Sequence, residues 1–193
     1  MEKLLAISNI VERVLEKVAL IAGMLFLVTI IVITFDVLSR KFGFQIPGLG
    51  STRLQELEWH LHTALFSFWL GAAYVKNAHV RIDILVSKLS PNRKAWFELA
   101  GCLLFAVPYC LLAIYFSFDF ALTSFLDNEG SPSSNGLPFR WIPKSCIFIG
   151  LVLLLMGVLS VVLRTVVFLF GPATLQSASS FGTFKKSIGE VAQ

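Results

Sequence analysis

Charge is what this chain has least of: Asp, Glu, Lys and Arg supply 15% of its 193 residues, against roughly 25% in an ordinary soluble domain. With 56% apolar residues and a mean hydropathy of +0.78, that scarcity excludes a soluble globular domain and a disordered chain. Cysteine is scarce as well. Cys102, Cys110 and Cys146 are odd in number and lack C-x-x-C spacing, so they read as small packing residues rather than a redox pair. Of the three histidines, His60 and His62 share one apolar block and His79 lies beyond it, so no two blocks offer facing haem ligands. Glu58 and His62 share a helical face, but two ligands do not make a metal site. No catalytic residue, metal or cofactor is expected, and an enzyme is excluded. The net charge of +4 is scattered beside apolar blocks rather than gathered in a basic, aromatic stripe, which excludes a nucleic-acid partner.

What the chain does have is long runs free of Asp, Glu, Lys and Arg, at 18–35, 59–75, 99–118 and 145–163. A bilayer core of about 30 Å needs on the order of 20 helical residues, and each run reaches that with its flanking residues. The runs are apolar all round, unlike the alternating strands of a barrel, and only a helix satisfies its own backbone in lipid. The expected fold class is all-α integral membrane, with four transmembrane helices at about 18–38, 57–76, 96–123 and 142–169. The first run leads into Asp36, Arg40 and Lys41 rather than a small-residue cleavage site, so it is expected to stay as a span and not to leave as a signal peptide.

Two further helices are expected. Leu4, Ile7, Val11, Val14 and Val18 recur every three or four residues among charged neighbours, so residues 1–17 are read as an amphipathic amino-terminal helix. Val80, Ile82, Ile84, Leu85, Val86 and Leu89, closed by Ser90-Pro91, read as a short interfacial helix between spans two and three. Residues 18–170 form the membrane domain. Residues 171–193, rich in Gly, Ser, Ala and Thr, read as a flexible cytoplasmic tail.

Lysine and arginine set the orientation. Lys3, Arg13, Lys17, Lys76, Arg81, Lys88, Arg93, Lys94, Arg164, Lys185 and Lys186 would share one side, leaving Arg40, Lys41, Arg53, Arg140 and Lys144 for the other. The positive-inside rule then makes both termini cytoplasmic, with loops 41–55 and 119–143 facing out. Trp59, Trp96, Trp141 and Tyr74 fall at the expected interfaces. Lys17, Lys76, Trp96, Trp141 and Arg164 are the expected lipid anchors, and Asp119 and Arg164, at opposite faces, should not meet. Pro108 should kink the third span by removing a donor to Leu104. No charge sits at mid-span and no repeat is visible, so a proton relay or ion-coupling site made by this chain alone is not expected.

Several stretches carry a family resemblance. The runs Gln55-Glu-Leu-Glu-Trp-His-Leu-His62, Leu70-Gly-Ala-Ala-Tyr-Val75 and Asn77-Ala-His-Val-Arg-Ile-Asp83 resemble the second span and following loop of a known subunit. Asp36-x-x-x-Arg40 and Gly130-Ser-Pro-x-x-x-Gly-Leu-Pro138 resemble it too. The subunit is the small, DctQ-like membrane component of tripartite ATP-independent periplasmic (TRAP) transporters, in the branch named for mannitol and chloroaromatic compounds, and the likeness covers 18–170.

The resemblance implies a scaffold without substrate of its own. It would brace a large inner-membrane subunit that performs sodium-coupled, elevator-type uptake of an organic acid delivered by a periplasmic substrate-binding protein. It implies that Asp36, Arg40, Glu56, Glu58, Trp59, His60, Arg81 and Asp83 hold the spans or the large subunit in register. Arg53, Asn128, Glu129 and Arg140 would touch the periplasmic protein, and membrane lipids would complete the partners. The competing reading is a stand-alone membrane assembly or interaction protein with no transport role.

Overall fold

A computed structural model describes residues 1–44, 46, 48–78 and 89–179. Within them every regular element is helical: α1 (Glu2–Phe42), α2 (Ser51–Val75), α3 (Pro91–Gly101), a π-helical turn (Cys102–Ala106), α4 (Val107–Leu126), α5 (Trp141–Phe170) and α6 (Ala173–Ser179). The expected interfacial helix, with Arg81 and Asp83, lies outside the described residues except for Leu89. Three helical stretches, Glu2–Phe42, Pro91–Leu126 and Trp141–Phe170, are long and apolar enough to cross a membrane. α2 has the length but not the apolarity, because Glu58, His60 and His62 fall within it.

The chain divides into two compact units. The first takes Met1–Glu16, Leu70–Leu112 and Val152–Gln193, the second Lys17–Trp69 and Ala113–Leu151. In the second unit α1 buries Ala22, Thr29 and Asp36, seven apart, and Ser39 one turn after Asp36. That is a narrow seam. Leu20, Ile21, Met24, Leu27 and Ile31 are exposed around it. Elsewhere in this unit Ser67, Ala121 and Ser124 are buried while Phe116 and Phe120 are exposed. Small residues inside and large apolar ones outside is the distribution expected where the surroundings are lipid and helices associate by close backbone approach. Gly150 shows how close: a Cβ there would lie 2.6 Å from the carbonyl oxygen of Ser67 and 2.7 Å from its Cβ.

The first unit packs around Cys102, Cys110, Val158 and Val161, with Tyr74 against them and its hydroxyl 3.3 Å from Cys102 Sγ. Cys102 and Cys110 are thus buried packing residues. Gly71 meets α5 here, where a Cβ would come within 2.8 Å of the Leu153 carbonyl carbon.

Residues 2–42 form one helix, continuous through positions 17 and 18. The face it buries within the chain is not its apolar stripe. Leu5, Ser8 and Leu15 are buried, whereas Ile7 and Val14 are exposed. The helix is turned so that polar Ser8, Asn9 and Glu12 serve Arg164, and its apolar stripe is left outward.

Two prolines take defined places. Pro91 opens α3, at the position where a missing N–H costs nothing. Ahead of Pro108 the helix widens into the π turn, closed by the Val107 N–H donating to the Cys102 carbonyl, which absorbs the proline locally. The start of the expected flexible tail is helical as well. α6 is nucleated by Pro172, whose carbonyl accepts from Leu175 and Gln176 at 2.9 and 3.3 Å, and residues 180–193 lie outside the described part.

Candidate functional site

The second unit concentrates polar groups at the ends of α1, α2 and α5 and in the loops 43–50 and 127–140. Asp36, fully buried near the end of α1, pairs with Arg40 at 2.6 Å one turn on, and its other oxygen accepts from Ser51 Oγ of α2 at 3.4 Å. The carboxylate therefore ties α1 to the start of α2.

Glu56, one turn into α2, organises the second loop. Its carboxylate accepts from Ser131 Oγ and, at 2.5 Å, from the Leu137 backbone N–H, with Arg140 Nη2 at 3.7 Å. Burial pushes this carboxyl up, but the bonds from Leu137 and Ser131 and the charges of Arg140 and His60 outweigh it and hold the group below the ordinary carboxylate range. The loop closes on itself through Ser131 N–H to the Leu137 carbonyl at 3.0 Å and Arg140 N–H to the Glu129 carbonyl at 2.9 Å. Gly136 leaves room for the arrangement, since a Cβ there would sit 2.8 Å from Glu56 Oε2. Lys144 pairs with Glu129, and that bond holds the Glu129 carboxyl below its ordinary range. Lys144 also lies 3.8 Å from the Phe120 ring centre, and Arg140 lies 5.5 Å from that of Trp59.

The first unit has a polar centre of its own. Arg164 of α5, 8% exposed, donates through Nε to Ser8 Oγ at 2.9 Å and through Nη2 to Asn9 Oδ1 at 2.8 Å, and it pairs with Glu12. Ser8 and Ser160 hydroxyls meet at 2.7 Å beside it. A guanidinium taken from water is tolerated only when its donors are met in this way. Both centres join chain segments and offer no reacting group. Among the described residues no three His, Cys, Asp or Glu side chains converge as a metal site would require.

The sequence profile of the DctQ component of tripartite ATP-independent periplasmic transporters matches residues 29–168, most of the chain. The chain belongs to the DctQ family. No curated protein and no solved structure matches it significantly. The DctQ family is a transporter component rather than an enzyme family, and it implies partnership with a large membrane subunit and a binding protein. The apolar helices and the family make this DctQ chain a multi-pass protein of the inner membrane.

Within this DctQ chain Asp36, Arg40, Glu56, Glu58, Trp59 and His60 all belong to the second unit, and Trp59 and His60 rings lie 4.2 Å apart. Arg53 donates to the Gly48 carbonyl at 2.6 Å. Asn128 is exposed in a left-handed turn (φ 48°). Of the expected lipid anchors, Lys17 is exposed, Lys76 pairs with Glu16 at 3.2 Å, and Trp96 and Trp141 stand edge-on to Phe170 and Phe125. Arg164 is a correction, because the fold takes it in rather than leaving it to head groups. Its partners Ser8, Asn9 and Glu12 escaped the sequence reading, although the polar positions Ser8/Glu12 and Ser160/Arg164, each four apart, were the available signal.

Proposed function

We propose that the chain is the small scaffold subunit of a TRAP-type secondary transporter, crossing the inner membrane four times, with α2 as the second span and both termini cytoplasmic. It supports the large membrane subunit during sodium-coupled, binding-protein-dependent uptake of an organic acid. In this reading the elevator-type motion and the coupling ion belong to the large subunit, and the chain falls in the mannitol/chloroaromatic branch. Asp36, Arg40, Glu56, Glu58, Trp59 and His60, together with Arg81 and Asp83, keep helices and large subunit in register.

One observation carries the reading. The exposed residues of α2 between Gln55 and Trp69 are Gln55, Trp59, His62, Phe66 and Trp69, spaced four, three, four and three apart, which is a single helical face. Lipid is a poor cover for an imidazole at span depth, and such a group turns toward protein. The aromatic members supply the anchors that dominate buried interfaces. A helix of the large subunit suits that face.

Co-expression with the large subunit tests the proposal. The wild-type chain should purify as a one-to-one complex, and His62→Ala combined with Phe66→Ala should weaken the association by about tenfold or more, with helix content unchanged by circular dichroism. Undiminished recovery of the complex from the double variant would overturn this placement. A chain that purifies alone in the large subunit's presence would favour the stand-alone reading.

A further inference from the structure

Between Glu98 and Asp127 the chain carries a single charged residue, Asp119 of α4. Its surroundings are those of a lipid-facing helix. Asp119 is exposed, as are Phe116 and Phe118 toward the start of α4 and Phe120, Leu122, Phe125 and Leu126 toward its end. Phe125 stands edge-on to Trp141, an interfacial residue by its amphipathic ring. At about 1.5 Å per residue Asp119 lies about 9 Å from Phe125 along the helix, beyond the roughly 5 to 7 Å of head-group layer on each side of a bilayer. A carboxylate is thus held within the apolar belt.

The second unit does not answer this charge. Among the described residues no cation pairs with Asp119. Arg40, Arg140 and Lys144 of this unit are matched by Asp36, Glu56 and Glu129, and Arg53 holds the Gly48 carbonyl. Lys144 does reach the Phe120 ring, but its ammonium is engaged by Glu129. Aspartate is also too short to carry its charge to the head groups as a lysine or arginine does. A charge kept at such a depth calls for a partner of opposite sign.

The face around it states what kind. Phe116, Ser117, Asp119, Phe120 and Thr123 line a shallow recess of about 540 Å3. Phe116, Asp119 and Thr123 are three and four apart, hence on one side of the helix. A guanidinium suits this set, because its plane stacks on an aromatic ring while its fork of N–H donors meets the carboxylate and the hydroxyl one turn on. An ammonium has the charge without the plane. We infer that the recess seats an arginine carried by a membrane helix of the large subunit, a partner that rests on the proposed transporter role. The contact is on α4, apart from the Gln55–Trp69 face of α2. A second copy of this chain is a poor occupant, since its apolar runs 18–35, 59–75, 99–118 and 145–163 contain no arginine.

Association of the detergent-purified chain with the large subunit tests this, together with the melting temperature of the chain alone. Asp119→Asn should weaken association by about tenfold or more, and Asp119→Arg should abolish it. Asp119→Glu should keep most of the affinity. Asp127→Asn, just past the end of α4, should change nothing. The isolated Asp119→Asn chain should melt no lower than wild type, because the substitution removes a bare charge from an apolar surface. Among Arg→Asp exchanges along the large subunit's membrane helices, one should restore association to Asp119→Arg.

Wild-type affinity in Asp119→Asn would overturn the arginine seat and leave the transporter role standing. A lowered melting temperature of the isolated variant would place the role of Asp119 inside this chain, and would count equally against the seat. So would the absence of any restoring exchange, or an Asp119→Asn effect confined to self-association of the isolated chain, which would hand the recess to a second copy. Failure of the wild-type chain to join the large subunit at all would instead contradict the proposed function.

Discussion

Arg164→Ala should lower the stability of the purified chain by about 3 to 5 kcal/mol, the usual result of removing one member of a buried ion pair. Arg164 is 8% exposed and serves Ser8, Asn9 and Glu12 at once. Its loss leaves the buried Ser8 hydroxyl and the half-buried Asn9 and Glu12 side chains without their cation. Most of the cost is therefore that of the partners left behind, not the worth of the bonds lost. The combination Glu12→Leu with Arg164→Met should recover much of the deficit, because an apolar pair of similar volume carries no desolvation penalty. Arg164→Lys should fall between, since an ammonium lacks the planar fork that reaches Ser8 and Asn9 together. Thermal unfolding of the detergent-purified chain, followed by circular dichroism, reads all three. A single Arg164→Ala variant as stable as wild type would mean that the polar centre of the first unit contributes nothing.

Gly150→Val should be at least as damaging within the second unit. A Cβ at Gly150 would stand 2.6 Å from the Ser67 carbonyl oxygen, and the other near atoms are Ser67's Cβ and carbonyl carbon. None belongs to a flexible side chain that could swing away, so α2 and α5 must separate there. Overpacking of this kind costs about 3 kcal/mol, at the upper end of what inserted methyl groups do in close-packed interiors. In lipid the loss is not made good by hydrophobic association, because dispersion contacts and close backbone approach are what join the helices. The expected result is a sharp fall in folded yield for Gly150→Val and a smaller one for Gly150→Ala. Gly101→Ala, whose Cβ would meet nothing within 4 Å, should express normally. Normal folded yield from Gly150→Val would show that the contact is not needed.

How much of this was legible beforehand depends on the length scale of the signal. Helices were readable because apolarity accumulates over a span, which is why α1, α4 and α5 emerge from composition alone. α2 was readable only by joining its apolar half to the charged and histidine-bearing half, Glu58 to His62. Contacts set by rotation about a helix axis were not readable. Apolar periodicity showed the stripe through Ile7 and Val14 but not what the opposite face meets, because Arg164, which draws Ser8 and Glu12 inward, lies 152 residues after Glu12. The Glu56 latch lay beyond reach for the same reason, since its donors Ser131 and Leu137 come from a loop 75 and 81 residues away. Proline was legible as an interruption but not in its remedy, because a π turn and a kink both accommodate a missing donor. The family-like run Gln55–His62 falls in α2 of the second unit, and sequence alone did not specify which of its members pairs with which.

Uptake by reconstituted vesicles tests the bracing role most directly. With the large subunit and the binding protein present, vesicles carrying this chain should accumulate an organic acid under a sodium gradient, and vesicles carrying this chain alone should accumulate none. Accumulation against the gradient by the chain alone would contradict the account.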